Sequence, residues 1–311
     1  MECIICKNTS PSKSLRICVK CAKSEKALEI AKNLHFYPQV PIKSCKLCAN
    51  ECKNFALCGK PKYGNLSYYE DPLPTNCCNA WFCKGSELRG TNLAVFYYGC
   101  NFDCLFCQNW SHKNVNISFV ELEELLSVLS LERIKCICHF GGSPEPQMPF
   151  ALRFSRKALE IRKDLMICWE WNGSGNTSLA LKAAELSSIS GGTVKFDLKA
   201  WNEFLHILLT GRSNERAKKN FEKIAEKFPD VLSATTLLVP YYVDEEEVEK
   251  IAGFIASIDE NIPYSLLVFH PDYRLRDLPV TPREQVFNCY KAAKKHLKRV
   301  NIGNLHLLGI L

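Results

Sequence analysis

The stretch LAVFYYGCNFDCLFCQNW, Leu93 to Trp110, joins an apolar run to three cysteines, Cys100, Cys104 and Cys107, at C-x3-C-x2-C spacing. The run is continuous rather than alternating, which predicts a strand covered on both faces, as in a parallel sheet. A closed metal site takes four protein ligands, so three in one loop predict a centre with one position left open. A zinc ion completed by a ligand from elsewhere is the rival. Thiols buried only for packing fit badly, because the loop also carries Gly99, Asn101, Asp103, Gln108 and Asn109, which are poor core residues.

Working outward, the same rhythm repeats. Continuous apolar runs at Leu93–Tyr98, Cys136–Phe140, Met166–Trp171, Thr193–Leu198, Ala234–Val239 and Tyr264–Phe269 alternate with helical segments. Ser118 with Glu121, Asp244 with Glu247, and Thr281 with Pro282 and Glu284 have the form of helix starts. Val248, Ile251, Ile255 and Ile258 make one apolar helix stripe. Six such units are fewer than the eight of a closed barrel. They predict an α/β fold, a partial (β/α)6 TIM-like barrel, with VNIGNLHLL adding a short last strand; a doubly wound sheet is the alternative. In either, ligands sit at the carboxyl ends of the strands. YYGCNFDC, FGGSPEPQ, WEWNGSGN, FDLKAWN, VPYY and FHPDY all fall there.

Eighteen cysteines are the unusual feature of this 311-residue chain. Eleven lie in the first 83 residues, three in the opening motif, and only Cys136, Cys138, Cys168 and Cys289 follow. No secretory pattern starts the chain and no apolar stretch is long enough for a bilayer. The thiols therefore point to metal chemistry in a reduced, oxygen-poor cytoplasm rather than to disulfides. The formal charge of +7 would fall to about +2 with two four-thiolate zinc sites and one cubane. The basic residues are also dispersed, so a nucleic-acid partner is not favoured.

Residues 1–30 carry Cys3, Cys6, Cys18 and Cys21 as C-x2-C-x11-C-x2-C, a paired-knuckle spacing that predicts structural zinc, with a second iron–sulfur cluster as the rival. Residues 31–90 are a Cys-rich linking region after a helix at Ser24–Leu34. Cys45, Cys48, Cys52 and Cys58, with Cys77, Cys78 and Cys83 behind them, are candidates for a second metal site, zinc or an auxiliary iron–sulfur cluster, or are buried thiols. Cys136, Cys138 and Cys168 read as small buried strand residues. Residues 91–311 form the barrel unit.

Cys100 to Cys107, with an aromatic residue before the last cysteine, resemble the radical S-adenosylmethionine (SAM) superfamily, and GCNFDCLFCQN is similar to its branch of glycyl-radical-enzyme activating enzymes, the pyruvate formate-lyase activating enzyme type. FGGSPEPQMPFAL, WEWNGSGN and DLKAWNEFLHILLTGRSNER follow in that family's order, and FHPDYRLRDLPVTPRE with NIGNL is similar to the radical SAM member of the AmmeMemoRadiSam group. The resemblance covers about Tyr97 to Leu305. It implies a 4Fe–4S cluster on Cys100, Cys104 and Cys107, SAM on the open iron, and reductive cleavage to a 5′-deoxyadenosyl radical. It further implies Phe106 near the adenine, Gly141 and Gly142 at the methionyl end, and Glu170, Asn172, Asp197 and Lys199 around ribose, carboxylate or substrate, with His270 near the adenine. A flavodoxin- or ferredoxin-like electron donor and a protein or peptide substrate follow from the same likeness; a small-molecule or nucleic-acid substrate, or a metal-binding protein without catalysis, are the alternatives. Two positions depart from the pattern. Ser143 stands where relatives often have an acidic residue, so that role passes to Glu145 or is lost, and SATTLLVP lacks the arginine that activating enzymes tend to have there.

Overall fold

The structure is a computed structural model that describes residues 1–35, 45–51, 63–73, 75, 77–115 and 118–309. Its centre is an eight-stranded sheet, with β1 (Leu66–Pro72), β2 (Thr91–Tyr97), β3 (Ile134–Phe140), β4 (Met166–Trp171), β5 (Val194–Asp197), β6 (Leu232–Leu238), β7 (Tyr264–Val268) and β8 (Val300–Gly303). Spatial order equals chain order throughout. From β2 to β8 every pairing is parallel, and β1 alone lies antiparallel on the edge of β2. A doubly wound sheet reverses its order at a switch point. This one does not, and right-handed crossovers then put every connecting helix on one face. All six expected strands and the short last one form, in an open α/β barrel.

The helices α1 (Ala27–Leu34), α2 (Leu122–Ser127), α3 (Met148–Ile161), α4 (Thr177–Ser190), α5 (Glu203–Thr210), α6 (Glu215–Ala225), α7 (Glu245–Ala256) and α8 (Arg283–Lys294) connect or flank the strands. α7 begins as the sequence predicts: the Asp244 carboxylate accepts from Glu247 N at 3.1 Å, and Val248, Ile251, Ala252 and Ile255 are buried. Of the other two expected starts, the one at Thr281–Glu284 holds in position but not in its cap, and the one at Ser118 is corrected. α2 begins after Glu121, whose side chain makes no cap, because residues 120–121 first pair with residues 63–64. Before α8 the Thr281 hydroxyl accepts from Phe269 N and donates to Leu238 O, tying the ends of β6 and β7 together instead of capping the helix. Asn176 and Asn202 cap α4 and α5.

Within the Cys-rich extension the expected Ser24–Leu34 helix is shorter, preceded by a single turn at Val19–Ala22. The extension is docked on the barrel's carboxyl-end loops. Tyr242 Oη donates to Ile17 O at 2.7 Å, Lys23 pairs with Asp244 at 2.9 Å, and Ser12 and Ser14 donate to Asp277 at 2.9 and 2.7 Å.

Candidate functional site

A cavity of about 700 Å³ runs along the concave face of the sheet to the carboxyl-end loops. Alternate strand residues supply its floor: Asn92, Ala94 and Phe96 from β2, Cys138 and Phe140 from β3, Glu170 from β4, Lys195 and Asp197 from β5, and Thr235 and Leu237 from β6. The period of two follows from the pleat. The intervening residues, such as Leu93, Val95 and Tyr97, are buried in the main core. At the rim stand Cys100, Cys104, Phe106, Cys107, Gly141, Gly142, Asn172 and Lys199. The strands and loops thus bring the three cysteines together with seven other expected residues, five at the rim and Glu170 and Asp197 on the floor, that the sequence separates by up to a hundred positions.

The cysteine loop is clamped at its middle. Asp103 N and Leu105 N donate to Thr210 O and Leu209 O at 2.8 and 3.0 Å, and Arg274 N donates to Leu105 O at 2.9 Å. The Asp103 carboxylate pairs with Lys113 and, at 3.1 Å, with His35 at the end of α1. Burial opposes that carboxylate, yet His35 and Lys113 hold its pKa down at about 2. Burial pushes the Cys104 thiol up to about 11, with Lys199 and Lys113 pulling the other way. Phe102 N points at Cys100 Sγ from 3.4 Å. The three sulfurs do not all lie within 4.8 Å of one another. Three thiolates in one loop beside an open cavity are a donor set that fits a 4Fe–4S cluster with one iron left for a ligand.

Gly141 and Gly142 have φ of +62° and +58°, and a Cβ at Gly142 would lie 1.8 Å from Tyr97 O. The glycines are therefore required by their packing on β2, in addition to opening the rim. Ser143 and Glu145 are buried behind them and do not line the cavity. Ser143 Oγ donates to Glu145 Oε2 and accepts from Asn172 Nδ2 at 2.9 Å. Asn172 also donates to Asn101 Oδ1 at 2.6 Å. This network locks three rim loops to one another. Burial raises the Glu145 pKa to about 7. Glu145 thus does not take the place of the acidic residue expected at Ser143.

On the floor, Lys195 Nζ lies 2.7 Å from Glu170 Oε2 and 3.4 Å from Asp197, and Lys199 pairs with Asp197 at 2.7 Å. Lys195 is the residue that the sequence reading missed; its place two before Asp197 in a strand is the signal that could have found it. Burial opposes the ammonium, but Asp197, Cys78 and Glu170 hold its pKa well above the ordinary lysine value. Cys77 Sγ donates to Glu170 Oε1 at 2.8 Å, which brings the linking region into the cavity. His270 is exposed after β7 and is not on the cavity wall.

The knuckle cysteines converge. The sulfurs of Cys3, Cys6, Cys18 and Cys21 all lie within 4.8 Å of one another, with Cys6 and Cys18 3.5 Å apart. Tetrahedral zinc with ligands at about 2.3 Å sets sulfurs about 3.8 Å apart. Cys45 and Cys48 are buried, and their segment runs against the loop after β4, where Ala49 N donates to Ser174 O at 2.9 Å. Cys52 and Cys58 lie outside the described residues. Cys136 and Cys168 are buried in their strands as expected, while Cys138, the register partner of Cys168 on β3, is half-buried on the cavity wall.

Residues 94–255, 162 of the 311, match the model of the Radical SAM superfamily. A protein of Methanocaldococcus jannaschii, provisionally named a glycyl-radical enzyme activating enzyme, is 24% identical over 216 residues, covering 67% of this chain and 79% of that one. The pyruvate formate-lyase-activating enzyme of Staphylococcus aureus is 23% identical over 221 residues, covering 65% and 88%. Among solved structures, Streptococcus suis SuiB bound to S-adenosylmethionine has a TM-score of 0.54 at 13% identity, over 68% of this chain and 49% of that one. That likeness is one of fold.

Proposed function

This chain belongs to the radical SAM superfamily and is an enzyme, and from that premise we propose that it cleaves SAM reductively at a 4Fe–4S cluster on Cys100, Cys104 and Cys107 and abstracts hydrogen from a protein or peptide. The observation that carries this reading is the convergence of Cys100, Cys104 and Cys107 on the wall of a cavity large enough for cofactor and substrate. Its relatives are named for activating glycyl-radical enzymes and pyruvate formate-lyase, which supports a protein substrate. No described helix is long and apolar enough to cross a membrane.

One-electron cleavage of the SAM sulfonium, giving methionine and a 5′-deoxyadenosyl radical, is the chemistry such a cluster supplies when bound. The chain's own residues bind and orient. Lys199 and Lys113 place positive charge beside the cysteine loop, offsetting its thiolates. Phe106, with Lys199 Nζ 5.9 Å above its ring, offers a face to the adenine. Gly141 and Gly142 present backbone to the methionyl end, and Asn172 and Asp197 offer polar atoms to ribose or carboxylate. β6 puts Thr235 and Leu237 on the wall where activating enzymes tend to have an arginine. A flavodoxin- or ferredoxin-like protein supplies the electron, and zinc on the knuckle staples the extension. A reduced, oxygen-poor cytoplasm suits all of these groups.

The test is anaerobic reconstitution with iron and sulfide, reduction, addition of SAM and chromatography of the products. 5′-Deoxyadenosine from the wild type, and none from a Cys100→Ala/Cys104→Ala/Cys107→Ala variant of unchanged fold, is the expected result. S-Adenosylhomocysteine, or no cleavage by protein with a reducible cluster and a candidate protein substrate present, would overturn the reading.

A further inference from the structure

We propose that Cys77, Cys78 and Glu170 form a further metal site inside the barrel, holding one thiophilic divalent ion of the zinc class with an open position turned into the cavity. Their ligand atoms all lie within 4.8 Å of one another, and all three residues line the cavity. Three protein ligands with a free position are the arrangement of a reactive rather than a structural zinc site.

The surroundings are those of a supported ligand set. Glu170 turns Oε1 to Cys77 at 2.8 Å, while its Oε2 is held by Lys195 at 2.7 Å. Ligating carboxylates are typically fixed in this way through the oxygen that does not ligate. Cys78 Sγ lies 3.3 Å from Thr235 Oγ1, and Asn79 N donates to Cys77 Sγ at 3.3 Å. The turn is itself pinned, with Asn79 Nδ2 on Ser233 Oγ at 3.2 Å and Ser265 Oγ donating to Cys78 O at 2.9 Å. Charge closes as well. Two thiolates and a carboxylate balance a divalent ion and the Lys195 ammonium, so no net charge is buried. One ion is indicated because the three donors converge.

The site lies along the same cavity as Cys100, Cys104 and Cys107. An ion there has a position for a Lewis-basic group of the substrate, such as a carboxylate, an imidazole or a thiol, and would hold it facing the rim. That use rests on the radical SAM reading; the site itself does not. The assignment takes Glu170 out of the set expected to hold SAM.

The test uses the full chain carrying Cys100→Ala, Cys104→Ala and Cys107→Ala, so that no cluster forms at the rim. The protein is stripped of metal and titrated anaerobically with Co²⁺, and thiolate-to-cobalt absorption is read. Adding Cys77→Ala and Cys78→Ala is expected to remove one equivalent and leave the thiolate spectrum of the remaining cysteine sites, the knuckle's among them, and Glu170→Gln to weaken that equivalent tenfold or more. Because the double variant can fail to fold, alkylation of the background protein is mapped by mass spectrometry with and without Zn²⁺; Cys77 and Cys78 are expected to be protected by the ion. Unchanged stoichiometry in a folded double variant, equal labelling with and without zinc, or iron with acid-labile sulfide on these residues would overturn the assignment. SAM cleavage by the unmutated enzyme is a separate measurement, so its failure leaves the metal count standing.

Discussion

Glu170 on β4 and Lys195 on β5 are register partners in adjacent parallel strands, and their charged ends meet 2.7 Å apart with both residues buried. The pair extends through Asp197 to Lys199, so the floor of the cavity is a line of alternating charge, buried at its Glu170–Lys195 end and part-exposed at Asp197. Removing one member of a buried pair leaves its partner uncompensated.

Lys195→Met is therefore expected to destabilise the protein by about 3–5 kcal/mol. Lys195→Met with Glu170→Gln should recover a large part of that loss. Denaturant unfolding of the cluster-free proteins checks both, and equal stability of wild type and Lys195→Met would show that the pair contributes nothing.

Asp103 sets an acid limb. Its pKa is lowered to about 2 from 3.8, so its stabilising contribution is full above about pH 4 and is lost as pH falls toward 2. Its partial contact with water holds that contribution to about 1–2 kcal/mol. Asp103→Asn should be less stable at pH 6 and lose less on acidification, read as unfolding midpoints across pH 2–6.

Glu145 has the opposite sign. Its folded pKa is raised from 4.5 to about 7, so the folded state holds the proton more tightly and stability falls as pH rises from about 4.5 to 7. The drop is about 3 kcal/mol. Glu145→Gln should flatten that slope, measured by the same midpoints between pH 4.5 and 8; an unaltered slope would assign the proton elsewhere.

Gly142 and Gly191 both have positive φ, but only the first is crowded. A Cβ at Gly191 meets nothing nearer than Lys84 Nζ at 3.7 Å, whereas one at Gly142 strikes Tyr97 O. Gly191→Ala should cost about 1–2 kcal/mol, the strain alone. Gly142→Ala adds the clash and should cost clearly more. Unfolding free energies of the two variants, compared directly, decide it.

The strands were legible because a parallel sheet covered on both faces leaves continuous apolar runs, and their number, six against eight, separated an open barrel from a closed one. β1 was not. Only Leu66 of LSYYEDP is buried and the remainder is part-exposed or exposed at the sheet edge, so it leaves no run to find. The rim residues could be read because they follow strand ends, whereas His270 fails that rule: its neighbour Phe269 turns into the core and leaves the ring outside. The cap at Asp244 forms while Thr281 serves the strands, since a hydroxyl goes to whichever unpaired backbone group the tertiary fold presents. The nearness of Cys77 to Glu170 is a contact across 93 residues, which no local spacing encodes.

The docking of the first 23 residues on Tyr242, Asp244 and Asp277 also has a consequence in time. Ser12 is made 265 residues before Asp277, a delay of roughly 15–50 s at ordinary translation rates. Throughout that interval the knuckle has its four thiols but none of the surface that later covers it. An ion bound at the proposed knuckle site in that interval would fold the segment before its dock exists, and a cell short of that ion would then release chains whose oldest residues are the last to settle.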